Sequence, residues 1–378
     1  MGKILKLAYP VSVLAGTIIG AGMFSLPFVF HNVGFILGFS YLIFFTFIFY
    51  ITHTMYADIV LRTERLPGFV LYAKKYLGGW ARIPATLATG VGTILVSAVY
   101  LVLVTSFVRL ILPDASEGIV VFIFWSLGSL SIFLKAKRLA KIELFVVGAI
   151  IALIGIIFFL GINNSGDYAR NFYMPEAALP LFIIPFGPIL FSLSGRSAIL
   201  PLLDDVRKSR IPESYVSKII FLGTFIPAIL YTLFVLGVWG LSDTVTNNAV
   251  SGIVRDTAVL LPVLGIVGIA ALFTTYVPIG TSLKKILEAD FNFSHMTSSV
   301  AVVILPPLIY LIGFDFLQLI NIAGGIFLAV ECIFIALIWN QLNKVHRPQL
   351  LLRGFGKGTA YLIIIVFTVG LIAEIYFI

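Results

Sequence analysis

The chain is poor in the residues on which most soluble chemistry relies: of 378 residues, one is cysteine, four are histidine and 11% are charged. A single cysteine, Cys332, excludes an intrachain disulfide, and its place in an apolar run leaves the redox compartment unread. The few histidines and carboxylates form no cluster with metal-ligand spacing and no nucleophile-and-base grouping. A glycine-rich phosphate cradle needs a preceding strand, which this pattern lacks. Neither an enzyme nor a resident cofactor is expected. The scarcity of charge, set beside 60% hydrophobic residues and a mean hydropathy of +1.10, also excludes a soluble domain.

What fills the chain instead is apolar runs long enough to cross a bilayer. We read eleven spans, at about 6–31, 34–60, 83–112, 117–134, 139–162, 178–206, 215–241, 258–287, 295–313, 316–339 and 358–377. With the N-terminus in the cytoplasm, the inner loops and span ends carry 21 of the 25 basic residues. Arg109, Arg170 and Arg255 fall outside, and Arg196 lies at depth. This is the positive-inside pattern of a multi-pass cell-membrane protein. It accounts for the net charge of +8 without a nucleic-acid partner. No cleavable signal peptide is expected, because the first apolar stretch shows no small-residue cleavage site.

Span one holds Gly16-Thr-Ile-Ile-Gly20-Ala-Gly22, followed by Met-Phe-Ser-Leu-Pro27. Each glycine weakens a helix by up to ~1 kcal/mol relative to alanine. Broken backbone at membrane depth survives only where protein or a water-filled cavity satisfies its polar groups. The bland alternative is a packing face for a neighbouring helix. Span six, with Phe191-Ser-Leu-Ser-Gly195-Arg196-Ser-Ala-Ile-Leu-Pro201, breaks in the same manner. Paired interruptions at matching positions of two halves point to a transporter's binding site. We therefore expect one polytopic domain over 1–378, with repeat one at about 6–162, an inverted repeat two at about 178–339, and an extra helix at about 358–377. Two amphipathic stretches, about 67–79 and 243–256, read as surface helices at equivalent positions.

The run Gly-Thr-Ile-Ile-Gly-Ala-Gly-Met-Phe-Ser-Leu-Pro-Phe resembles the opening helix of the amino acid/auxin permeases, especially the bacterial tyrosine and tryptophan permeases. The segment Leu-Phe-Ser-Leu-Ser-Gly-Arg-Ser-Ala-Ile-Leu-Pro resembles that family's sixth helix. The resemblance implies the leucine-transporter fold of the wider amino acid–polyamine–organocation superfamily, all-α with discontinuous helices one and six. It also implies alternating access and import of an amino acid, aromatic, hydroxy or otherwise neutral, with a proton or sodium ion.

An α-amino acid presents a carboxylate beside an ammonium, and a broken helix offers amides at one half's start and carbonyls at the other's end. The carboxylate is expected at Gly20, Ala21 and Gly22, and the ammonium at carbonyls near Gly16 and Phe191–Ser192. The side chain would face Tyr100, Phe191, Ser194 and Gly195. Resemblance to the sodium-binding span of this fold carries over to Thr274, Thr275 and Ala271 of span eight, with Gly16 and Ile19. Paired threonines also commonly bond back to their own helix.

Two deep charges, Arg196 and Glu331, need partners or water. They are candidates for an ion pair, for a proton carrier at Glu331, or for a cavity-facing cation at Arg196 that would favour an additional substrate carboxylate. His53 reads as structural. An amino-acid sensor of germinant-receptor type, binding without net transport, is the alternative function. The expected partners are a small amino acid and the lipid bilayer, and the oligomeric state is not legible.

Overall fold

The computed structural model describes residues 2–63, 66, 68–133, 139–163, 179–253, 259–291, 293–344, 349–352 and 354–377. Arg65, Lys135, Lys137, Arg138, Arg170, Arg255, Arg347 and Arg353, used above for orientation, lie outside the described residues. Hydrocarbon offers the backbone no hydrogen-bond partners, so an apolar chain of this kind closes its bonds within helices. Among the described residues the fold is all helical, and the only strand-like feature is an isolated bridge between Ser242 and Ile253.

The first span consists of α1 (Gly2–Ile18), a 3-10 turn at Ala21–Ser25 and α2 (Leu26–Val33). Its two halves meet at 47°. The following elements are α3 (Phe35–Arg62), the short α4 (Phe69–Leu77), α5 (Arg82–Arg109), α6 (Glu117–Phe133) and α7 (Leu139–Asn163). Span six comprises α8 (Phe186–Leu193), a 3-10 turn at Arg196–Ala198 and α9 (Ile199–Lys208). It is followed by α10 (Val216–Leu241), α11 (Leu260–Phe291) and α12 (His295–Ile312). Span ten runs through α13 (Phe316–Asn321), a π-helical turn at Ile322–Leu328 and α14 (Ala329–Lys344), and α15 (Lys357–Phe377) closes the order.

Among the described residues, nine helical stretches are long and apolar enough to cross a membrane, and the bent first pair makes up to ten. The remaining expected span, 117–134, appears as a 17-residue helix, apolar but shorter than the others. The expected surface helix at 67–79 is present as α4. The one at 243–256 is not. Its described part is a loop with a single 3-10 turn at Val250–Gly252, held by the Asn248 amide on Ser106 Oγ at 2.8 Å, and 254–256 lie outside the described residues. Ala249, at φ 58°, turns the chain where a helix would need to continue.

Small residues let the core helices approach closely, as expected where lipid removes the hydrophobic drive between helices. A Cβ on Gly161 of α7 would lie 2.2 Å from the Gly237 carbonyl oxygen of α10. On one face, Asp58 of α3 gathers four donors: Arg62 (2.9 Å), Trp339 Nε1 (2.9 Å) and the backbone N–H groups of Leu350 (3.0 Å) and Leu351 (3.1 Å). This buried carboxylate ties α3 to the end of α14 and to the lead-in of α15.

Candidate functional site

Both breaks exist, and each has its own local cause. In span one, α1 ends at Ile18, and the backbone becomes extended at Gly20 (φ −136°, ψ −159°) before the 3-10 turn starts. That extension leaves the N–H groups of Ala21 and Gly22 without a carbonyl one turn back. In span six, Ser194 is extended (φ −66°, ψ 122°), and the next turn starts only at Arg196.

Three contacts hold the breaks open. The Gly195 N–H donates to His53 Nε2 at 3.2 Å. The Tyr231 hydroxyl of α10 lies 2.5 Å from the Ile18 carbonyl and 2.8 Å from the Ser192 carbonyl, so one phenol staples the carbonyl ends of both half-helices. Gly22 completes the crossing, because a Cβ there would lie 2.7 Å from Ser192 Cα. Small residues at the breaks thus serve packing as well as opening, and the two readings of the glycine run coexist.

Between the breaks lies a cavity of about 430 Å³. On span one its lining runs from Tyr9 to Gly22, on span six from Phe191 to Asp205, and on α11 from Thr275 to Ile286. On every element it opens toward the same face, the one that bears Tyr9 and Asp205. Beyond the break the opposite side is shut. Phe24 packs edge-on against Phe107 (5.0 Å) and Phe234 (5.6 Å), and all three rings are buried.

Of the residues expected at the site, Gly16, Gly20, Ala21, Gly22, Tyr100, Phe191, Ser194, Arg196, Thr275 and Glu331 line this cavity. Ser192 does not. Its carbonyl is taken by Tyr231, and its hydroxyl bonds to the Pro188 carbonyl at 2.7 Å. Gly195 also stands behind the wall, against Leu14 and Ile18. Ile19, Ala271 and Thr274, together with Gly16 and Thr275, border an adjoining space of about 20 Å³, the size of one water. Both threonine hydroxyls donate to the Ala271 carbonyl, at 3.2 Å from Thr274 and 2.9 Å from Thr275.

Arg196 and Glu331 form an ion pair through Arg196 Nε and Glu331 Oε1, set in the cavity wall. The guanidinium also lies 5.0 Å from the Phe69 ring and 5.8 Å from that of Tyr56. Pairing and cavity exposure therefore hold together, and the pair presents no net charge to the cavity.

Sequence reasoning missed three supports: Tyr231, the hydrogen bond from Gly195 to His53, and Phe69 on α4. Each belongs to a spatial neighbour with no signature along the chain.

Two broken helices meet at a one-sided cavity in a bundle that is all helical among the described residues, an architecture of membrane transporters. Its fold is that of the leucine transporter. MhsT in complex with L-phenylalanine is similar at TM-score 0.69 and 13% identity, covering 97% of each chain. Mhp1, a nucleobase-cation-symport-1 family transporter with bromovinylhydantoin bound, is similar at 0.65 and 14%, covering 97% of this chain and 89% of its own. An Eremococcus coleocola manganese transporter, in complex with an aromatic bis-isothiourea compound, gives 0.62 and 15%, over 98% and 86%. No curated protein sequence matches the chain. The tryptophan/tyrosine permease family matches residues 3–375, and the chain belongs to that family.

Proposed function

We propose that this protein imports a neutral amino acid, aromatic or hydroxylated, together with a monovalent cation, by alternating access across the cell membrane. The observation that carries the reading is the meeting of both helix breaks at one cavity open to a single face. Its volume, about 430 Å³, falls within the roughly 300–1,000 Å³ typical of small-ligand sites. We read eleven crossings with the N-terminus cytoplasmic, so this form faces inward.

The substrate carboxylate would meet the amides of Ala21 and Gly22, favoured by the positive end of the second half-helix. The ammonium would sit at the carbonyl end of α1 near Gly16, since Tyr231 already occupies the Ser192 carbonyl. Tyr100 and Phe191 would flank the side chain. Arg196, neutralised by Glu331, gives no anchor for a second carboxylate, and this favours a neutral substrate.

For the cation, the proton is the first reading, and it rests on the resemblance to the tyrosine and tryptophan permeases; the span-eight hydroxyls donate to Ala271 and their oxygens keep lone pairs. Sodium is the second reading, and it rests on the water-sized space that all five expected oxygen-bearing residues border.

Uptake of labelled amino acids into proteoliposomes under an imposed gradient tests the function. Saturable, gradient-driven uptake of an aromatic or hydroxy amino acid is expected. Saturable binding with no accumulation under any gradient would establish the sensor reading instead.

A further inference from the structure

A second cavity, of about 350 Å³, lies away from the first, with Ile183, Phe314 and Phe377 as apolar walls and Gln318, Asn321 and Glu374 as polar groups. Ile183 precedes α8, whereas Asp205 at the mouth of the main cavity stands near the end of α9. The two cavities therefore open at opposite ends of span six.

Glu374, on α15, is 4% exposed. Its Oε2 has no hydrogen-bond partner, and neither has Asn321 Oδ1 in the same cavity. Gln318 is already occupied, closing the cap of α13 through Asp315 N–H at 3.0 Å. Two orphan acceptors in an apolar basin lack one thing, a donor. An ionised carboxylate left there would carry the cost of an unpaired buried charge. A divalent metal would want several carboxylates, and Glu374 is the only charged side chain among the described residues of this lining. Among the described residues the lining adds no countercharge. Asp315 caps α13 through Gln318 N–H at 2.9 Å, Tyr41 of α3 spends its hydroxyl on the Phe182 carbonyl, and the α8 lead-in contributes Ile183 and Ile184.

We infer that Glu374 is a proton-binding site reached from the face opposite the main cavity, its protonated carboxyl supplying the donor that Asn321 lacks. The proton also has a route of influence. The carboxyl is packed on the π-helical turn of span ten so closely that a Cβ on Gly325 would lie 2.5 Å from Glu374 Cδ. The same turn and its continuation put Ala323, Leu328 and Glu331 into the wall of the main cavity. Such π turns concentrate at functional positions. This one is a common wall between the two cavities, so proton loading at Glu374 acts on the substrate site. That second half rests on the transport reading, whereas proton binding itself does not.

The full-length protein in proteoliposomes tests both halves. Dicyclohexylcarbodiimide modifies protonated carboxyls in apolar surroundings. Peptide mapping by mass spectrometry is expected to place the label on Glu374, increasing as the medium is acidified, with Glu331 unlabelled. No label on Glu374 at any pH would overturn the site. Asn321→Leu keeps the carboxyl and removes its acceptor, and is expected to move labelling to more acidic medium; unchanged labelling would overturn the pairing. With lumenal pH clamped, wild-type uptake should rise on external acidification and that of Glu374→Gln should stay flat. A Glu374→Gln variant that keeps the wild-type rise would overturn the coupling. Wild-type protein that takes up nothing would remove the transport reading, and labelling would still decide Glu374.

Discussion

His53 Nε2 accepts a hydrogen bond from the backbone N–H of Gly195 across 3.2 Å, so an imidazole on α3 holds open the break in span six. Because Nε2 accepts, the ring proton belongs on Nδ1, which faces Thr224 Oγ1 at 3.5 Å. His53→Leu strands the Gly195 N–H in a buried site, at a cost of about 1–3 kcal/mol. We expect a lower unfolding midpoint in detergent and loss of uptake. His53→Gln, whose amide oxygen reaches the same place, should recover most of both. Equal behaviour of the two variants would mean that the contact merely fills space.

Gly22 faces Ser192 with no room for a methyl group, since a Cβ would lie 2.7 Å from Ser192 Cα and 2.7 Å from its Oγ. A backbone atom cannot rotate away. Gly22→Ala should push the two half-helices apart and reduce substrate binding at least tenfold, equivalent to about 1.4 kcal/mol. Gly148→Ala on α7, where nothing lies within 4 Å, is the matched control and should bind as wild type. Radioligand binding to purified protein separates the two.

Arg196 and Glu331 are best tested as a pair. Glu331→Gln leaves a partly buried, cavity-lining guanidinium without its counter-ion, so the cost should fall below the roughly 3–5 kcal/mol of a fully buried pair. Adding Arg196→Met removes the stranded charge, and the double variant should regain most of the lost thermal stability. A second readout concerns selectivity. In the single variant Arg196 faces the cavity uncompensated, so acidic amino acids should begin to compete with neutral ones. No gain in their competition would show that the guanidinium is out of the substrate's reach.

Much of this was legible because membrane physics constrains the chain so heavily. The apolar runs predicted the helices, and the small-residue runs Gly16–Gly22 and Ser192–Gly195, each followed by Leu-Pro, pointed to both breaks. The depth of Arg196 and Glu331 allowed the pair now seen. What stayed hidden depends on which helix faces which. Nothing along α10 says that Tyr231 reaches Ile18 and Ser192, and nothing in α15 says that Glu374 meets Gly325. The loop at 243–253 was misread because amphipathic spacing cannot register the turn at Ala249. Asp58 went unread in sequence, because its partners come from residues 62, 339, 350 and 351.

The last prediction concerns the transported cation. Hard neutral oxygens around Thr274 and Thr275 suit an alkali ion in kind. The two hydroxyls, however, spend their protons on one carbonyl, at 3.2 and 2.9 Å, which leaves Ala271 poorly placed to act as a ligand. Uptake measured at fixed membrane potential, with sodium replaced by choline, should then stay within about twofold of the sodium value, a difference of only ~0.4 kcal/mol. Thr274→Val should behave the same way, because it removes a hydroxyl that only bonds back to its own helix. A proton gradient imposed without sodium should drive accumulation by itself. Should choline abolish uptake and Thr274→Val do likewise, the small space beside Gly16 and Ile19 is the ion site, with the hydroxyl oxygens as ligands.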